Sequence, residues 1–104
     1  MYEIEELIAL AAEKRASDVH LIAGLPPKCR IDGRIETLTE GVLTREDCEE
    51  YGRQLAGDAA DPIEAIGQLD FSASFAGRRL RVNLFRQQGA LSAAIRLLGS
   101  TIPN

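Results

Sequence analysis

The chain has no tryptophan, one histidine, one methionine, two cysteines and 5% aromatic residues. Each shortage closes a class of function. His20 is the single histidine and alternates out of the Val19/Leu21 face, where a surface or interface role is expected, so no Ser/His/Asp order is worth proposing. Cys29 and Cys48 make no disulfide framework, and neither stands at metal-ligand spacing from another Cys or His. Both fall on apolar faces and read as core thiols of a reduced, cytoplasmic protein. Apolar runs are only a few residues long, so no segment is expected to span a bilayer. The acidic opening Met1-Tyr2-Glu3-Ile4-Glu5-Glu6 has no signal-peptide character. None of the nine glycines opens a Gly-x-x-x-x-Gly-Lys-Ser/Thr cradle or a Gly-x-Gly-x-x-Gly turn. The chain alone is therefore expected to carry no assembled active site, no catalytic residue, no metal and no bound cofactor.

What is present is one domain's worth of sequence, 104 residues with 45% hydrophobic and 27% charged. Charge is unevenly spread. The net charge is −4, yet the stretch after Leu69 holds Arg78, Arg79, Arg81, Arg86 and Arg96 against Asp70 alone. The overall sign argues against general nucleic-acid binding, while the basic C-terminal third leaves room for a local anion site.

Ile4, Leu7, Ile8, Ala11 and Ala12 form one apolar stripe at helical spacing, with Glu3, Glu5 and Glu6 in the first turn, where they suit the helix dipole. Asp18 to Ala23 is a short β-like run with Val19 and Leu21 on one face and His20 on the other; Gly24-Leu25-Pro26-Pro27 stops it. Lys28 to Leu38 reads as a hairpin around Asp32-Gly33. A three-residue loop, Asp32-Gly33-Arg34, would pair Ile31 with Ile35, Cys29 with Thr37 and Arg30 with Glu36, giving one apolar and one charge-matched face. That register is expected over the two-residue alternative. Thr44 with Asp47 three residues on opens a helix that buries Cys48, Tyr51 and Leu55 and ends near Gly57. Asp61-Pro62 opens a shorter helix ending at Gly67. Three alternating runs follow: Leu69–Phe75, Leu80–Phe85 and Leu91–Leu97. The sum is an α+β fold with a largely antiparallel sheet of about six strands and helices on one face.

The last hairpin carries the functional signal. A four-residue loop, Gln87 to Ala90, pairs Leu84 with Ala93, Val82 with Ile95 and Leu80 with Leu97, so every apolar residue lands on one face. The same register sets Arg81 directly across from Arg96, with no acid assigned to neutralise them. Like charges directly opposite are normally unfavourable, but two guanidinium forks side by side suit a phosphate. The plainer alternative is a solvated face whose arginines splay into water or pair with Asp70 and other acids.

Two groups of residues resemble a known family. Ala16-Ser17-Asp18-Val19-His20-Leu21, then Ala23-Gly24-Leu25-Pro26-Pro27 and Arg30-Ile31-Asp32-Gly33, are similar to the opening of the type IV pilus retraction (twitching motility, PilT-like) ATPases. Leu80-Arg81-Val82-Asn83-Leu84-Phe85-Arg86-Gln87, Ala94-Ile95-Arg96-Leu97 and Ile102-Pro103 resemble the end of the same N-terminal domain. The resemblance covers essentially the whole chain. It implies a PAS-like N-terminal domain over residues 1–98. Residues 99–104 would then start a linker to an absent RecA-like domain, which would hold the P-loop of a secretion-superfamily ATPase. The retraction subgroup fits best, because only sixteen residues precede Ser17.

The resemblance further implies a hexameric ring, with ATP and Mg²⁺ bound between the two domains of each full-length subunit. Arg81 and Arg96 map onto the family's phosphate-contacting arginines. Asp18 and His20 fall in the block where domains and neighbouring subunits meet. Implied partners are the RecA-like domain, identical subunits and the pilus base at the inner membrane, with no nucleic acid; the location is cytoplasmic, peripheral to that membrane. Two rivals remain: a stand-alone PAS-like sensor, which would need a core cavity with convergent polar groups, and a protein-interaction adaptor using the exposed sheet face.

Overall fold

Both helices begin where side chains satisfy backbone donors that a helix leaves open. A computed structural model of the protein describes residues 2–57, 68–87 and 89–100. In it the Glu6 carboxylate accepts from the Glu3 N–H at 2.8 Å and starts α1 (Ile4–Glu13). Thr44 and Asp47 cap each other reciprocally at 2.9 and 3.0 Å and start α2 (Arg45–Ala56), which ends at Gly57 with φ 59°. The two helices are tied by the Ile4 N–H donating to Gln54 Oε1 at 2.7 Å and by the Tyr51 hydroxyl donating to the Tyr2 carbonyl at 2.6 Å.

Six strands form one sheet: β1 (Asp18–Leu21), β2 (Lys28–Ile31), β3 (Arg34–Thr37), β4 (Gln68–Phe75), β5 (Arg78–Gln87) and β6 (Ala90–Ser100). Their order is β3-β2-β1-β6-β5-β4, antiparallel at every junction. The first hairpin and the last three strands are thus separate sequence blocks, joined through β1 against β6. The Ser17 backbone seals that junction, its N–H donating to the Arg30 carbonyl and its carbonyl accepting from Leu97 N–H, each at 2.9 Å. The α+β, PAS-like architecture expected from the sequence is the one observed. The shorter helix expected after Asp61 lies outside the described residues.

The core sits between the helices and one face of the sheet. Ile4, Leu7, Ile8 and Ala11 of α1 and Cys48, Tyr51 and Leu55 of α2 are buried in one cluster with Val19, Leu21, Cys29, Leu80, Val82, Leu84, Leu91, Ala93 and Ile95. The α2 helix approaches β6 so closely that a Cβ on Gly52 would fall on Leu91 Cδ2. Burial, and then the charges of Asp47 and Glu49, push the Cys48 thiol up to about 11, so it is an inert core group. Burial likewise raises the Tyr51 phenol to about 12.

Two registers decide the polar face. In the last hairpin Leu80 pairs with Leu97, Val82 with Ile95, Leu84 with Ala93 and Arg81 with Arg96, as the sequence predicts. Pairing runs on to Gln87 opposite Ala90, so the loop is shorter than the four residues expected, and it also extends to Ser100, two residues past the expected end of the domain at 98. The first hairpin differs from expectation. Ile31 pairs with Arg34, Arg30 with Ile35 and Cys29 with Glu36, which is the two-residue loop. Asp32 at φ 51° and Gly33 at φ 80° supply the two positive φ angles of a type I′ turn, whose twist matches the strands it joins. Since β3 is an edge strand exposed at all four positions, burial does not enforce the alternative.

Candidate functional site: an arginine ladder on the open sheet face

Partners directly opposite in an antiparallel sheet share a face. Tracing register across the sheet therefore places side chains without further assumption. Opposite the core, one row runs Ile35, Arg30, Asp18, Arg96, Arg81, Ser72 from β3 to β4. The next row runs Thr37, Lys28, His20, Ala94, Asn83, Asp70. Three guanidinium groups and two carboxylates thus meet in the middle of a face that neither described helix covers.

Between these rows lies an open depression of about 560 Å³ lined by Asp18, His20, Arg30, Asp70, Arg81, Asn83, Ala94 and Arg96. The structure brings together all four residues singled out from the sequence: Arg81, Arg96, Asp18 and His20. It also adds Arg30, Asp70 and Asn83. Arg30 is not found from the sequence because it is matched there only with Glu36 across the hairpin, and the pairing of β2 with β1 that sets it beside Asp18 is not assigned. Asp18 and Arg96 are 78 residues apart in sequence, and local pattern carries no signal for β1 pairing with β6.

The expectation that the arginine pair stands without counter-ions is overturned. Arg81 binds Asp70 with two hydrogen bonds, Nε to Oδ1 at 2.9 Å and Nη2 to Oδ2 at 3.3 Å. Asp70 lies diagonally across β4 from Arg81, within reach of a long side chain. That hydrogen bond, and then the aspartate's charge, raise the Arg81 pKa, so it is a cation at any working pH. Arg96 is held more loosely, Nε to Asp18 Oδ1 at 3.4 Å, and Arg30 reaches Asp18 Oδ2 at 3.7 Å. The Arg81 and Asp70 side chains are 59% and 51% exposed. Exposed pairs of this kind are screened by water and salt and hold only weakly. A ligand bearing two or more anionic oxygens can compete for both guanidinium groups.

Among the described residues, no group of three or more His, Cys, Asp or Glu side chains could hold a metal ion. None of the described helices is long and apolar enough to cross a membrane.

Among the described residues the chain is an α+β domain of two helices and a six-stranded antiparallel sheet, with arginines on the face opposite the core. Comparison with known proteins narrows the class. No family model matches the chain. The type IV pilus retraction ATPase PilT of Pseudomonas aeruginosa is 33% identical over 102 residues, 96% of this chain and 30% of that protein. The uncharacterized protein YggR of Escherichia coli is 38% identical over the same length and shares. The type IV pilus ATPase PilU of P. aeruginosa is 31% identical over 107 residues, 97% of this chain and 27% of that protein. Among solved structures, the pilus retraction motor PilT with bound ADP superimposes with a TM-score of 0.87 at 36% identity, over 100% of this chain and 31% of that one. The Legionella pneumophila ATPase DotB shares the fold, with a TM-score of 0.80 at 21% identity over 97% of this chain and 30% of its own. The chain spans about 30% of the length of the relatives it matches. In sequence and in fold the chain matches the N-terminal part of PilT-like ATPases.

Proposed function

We propose that this domain forms one wall of an ATP site in a pilus retraction motor, with Arg81 and Arg96 contacting the nucleotide phosphates. The observation that carries this reading is the placement of Arg81 directly opposite Arg96, both on the face the described helices leave uncovered. A polyphosphate supplies the several anionic oxygens needed to draw both guanidiniums from their aspartates. On this reading the P-loop, the Mg²⁺ ligands and the catalytic carboxylate belong to a RecA-like core of the full-length protein. Similarity to PilT, solved with bound ADP, supports this reading. The chain alone is not an enzyme on this view. It is part of a hexameric, cytoplasmic ATPase that docks at the inner membrane through the pilus machinery, with Asp18 and His20 near the contacts between domains and subunits.

The arginines would act as charge brought to the phosphoryl group by domain closure, so that hydrolysis and movement are coupled. In a full-length protein carrying this domain, Arg81→Ala and Arg96→Ala are each expected to lower ATP turnover by about tenfold or more, with unchanged far-UV circular dichroism. Normal turnover in both variants defeats the assignment.

A further inference from the structure

We propose that Asp18 is an internal competitor for Arg96, a counter-ion that an arriving phosphate must displace. The inference rests on the phosphate-binding reading above and names a residue that tunes it. Asp18 begins β1, and β1 lies between β2 and β6, so register sets Arg30 on one side of it and Arg96 on the other. Its side chain is only 17% exposed, against 70% for Arg96. The Ser17 hydroxyl donates to Asp18 Oδ2 at 2.8 Å and fixes the carboxylate in place. The acid is anchored and the guanidinium is the more exposed partner.

The two arginine contacts, 3.4 Å to Arg96 and 3.7 Å to Arg30, are both longer than the roughly 2.7–2.9 Å of a saturated charge-assisted hydrogen bond. One carboxylate is shared between two cations and fully satisfies neither. Arg96 engages it through Nε alone. Arg81, by contrast, commits two nitrogens to both oxygens of Asp70. A phosphate entering the depression therefore meets an asymmetric pair, with Arg96 the easier to capture. When Arg96 leaves, Arg30 stays beside Asp18, so the half-buried carboxylate keeps a cation. That shared arrangement makes release reversible, because the acid recaptures Arg96 when the anion departs. It also sets the strength of binding: Asp18 holds back a guanidinium and repels the incoming negative charge.

The test is titration of the chain with inorganic pyrophosphate at low ionic strength, read from the arginine Nε–Hε NMR signals. Asp18→Asn keeps the shape and the Ser17 contact while removing the charge. It is expected to tighten pyrophosphate binding by about fivefold, in line with loss of one weak, partly exposed ion pair. Asp18→Ser is expected to move affinity in the same direction, which covers a folding failure of the first variant. Glu40→Gln removes the same charge from an exposed loop outside the depression and is expected to change affinity by less than about 1.5-fold. An Asp18→Asn chain that binds no tighter than the parent, while Arg96→Ala still weakens binding, overturns the competitor role and leaves the phosphate site standing. Equal tightening by Glu40→Gln overturns it too, as a general charge effect. If Arg96→Ala leaves binding intact, the phosphate reading fails and this inference fails with it.

Discussion

The hairpins β2–β3 and β5–β6 are built from similar turn chemistry but obey different rules. Both put a glycine at positive φ in the connection, Gly33 at 80° and Gly89 at 80°. In β5–β6, Leu80, Val82, Leu84, Ala93 and Ile95 are all buried, so sliding the strands by one residue would drive the whole set into water. In β2–β3 only Cys29 is fully buried, and Ile35 on the partner strand is 52% exposed. There the turn sets the register, and the apolar residues go where the turn sends them. Where one face is deeply buried, pattern dictates pairing; at an exposed edge, backbone geometry does.

The contrast breaks most sharply at matched isoleucines. Ile95 lies against Val82 in the buried hairpin, whereas Ile35 lies against Arg30 in the exposed one. Ile95→Ala is expected to lower unfolding free energy by about 2–4 kcal/mol, through lost transfer energy and a residual cavity. Urea denaturation followed by circular dichroism measures it. A loss below about 1 kcal/mol would mean that burial does not hold this hairpin, and the contrast between the two would dissolve.

The same division explains what could be read from the chain. The helical stripe at Ile4, Leu7, Ile8 and Ala11, the Thr44–Asp47 capping box and the β5–β6 register follow from local periodicity and burial, and all are observed. The opposition of Arg81 and Arg96 comes with that register at no further assumption. The counter-ions were only half legible. Asp70 was named as an alternative partner, being close in sequence to Arg81. Asp18 was not matched to Arg96, because the pairing of β1 with β6 joins residues far apart along the chain. Arg30 joins the site through the pairing of β1 with β2, which the hairpin pattern alone does not reveal. The site is thus legible in its local half and hidden in its long-range half.

Gly33 offers the intermediate test. At φ 80° an alanine there would sit in the left-handed region, although open space surrounds the position. The effect is therefore backbone strain alone, about 1 kcal/mol. Gly33→Ala is expected to lower the unfolding free energy by that amount, read from urea denaturation. A neutral result would show that the turn can relax into the three-residue form, and that turn geometry does not fix the edge register. Replacement of the Arg30–Ile35 proximity by Ile31–Ile35 in NMR spectra of the variant would confirm that such a slip had occurred.

The smallest expected effect is at Ile35. Ile35→Thr keeps a β-branched side chain on an exposed edge strand and removes apolar surface that water already reaches. The change is expected to stay within about 0.5 kcal/mol of neutral. Its value lies in the sign of any departure. Ile35 stands at the end of the row that runs through Arg30, Asp18, Arg96 and Arg81. If that face is a docking wall for another domain, Ile35→Thr should leave the isolated chain unchanged yet weaken association with the rest of a full-length protein. A loss above about 1 kcal/mol in the isolated chain would instead mean that Ile35 is covered there. The edge strand would then be governed by burial after all, and the two hairpins would obey one rule.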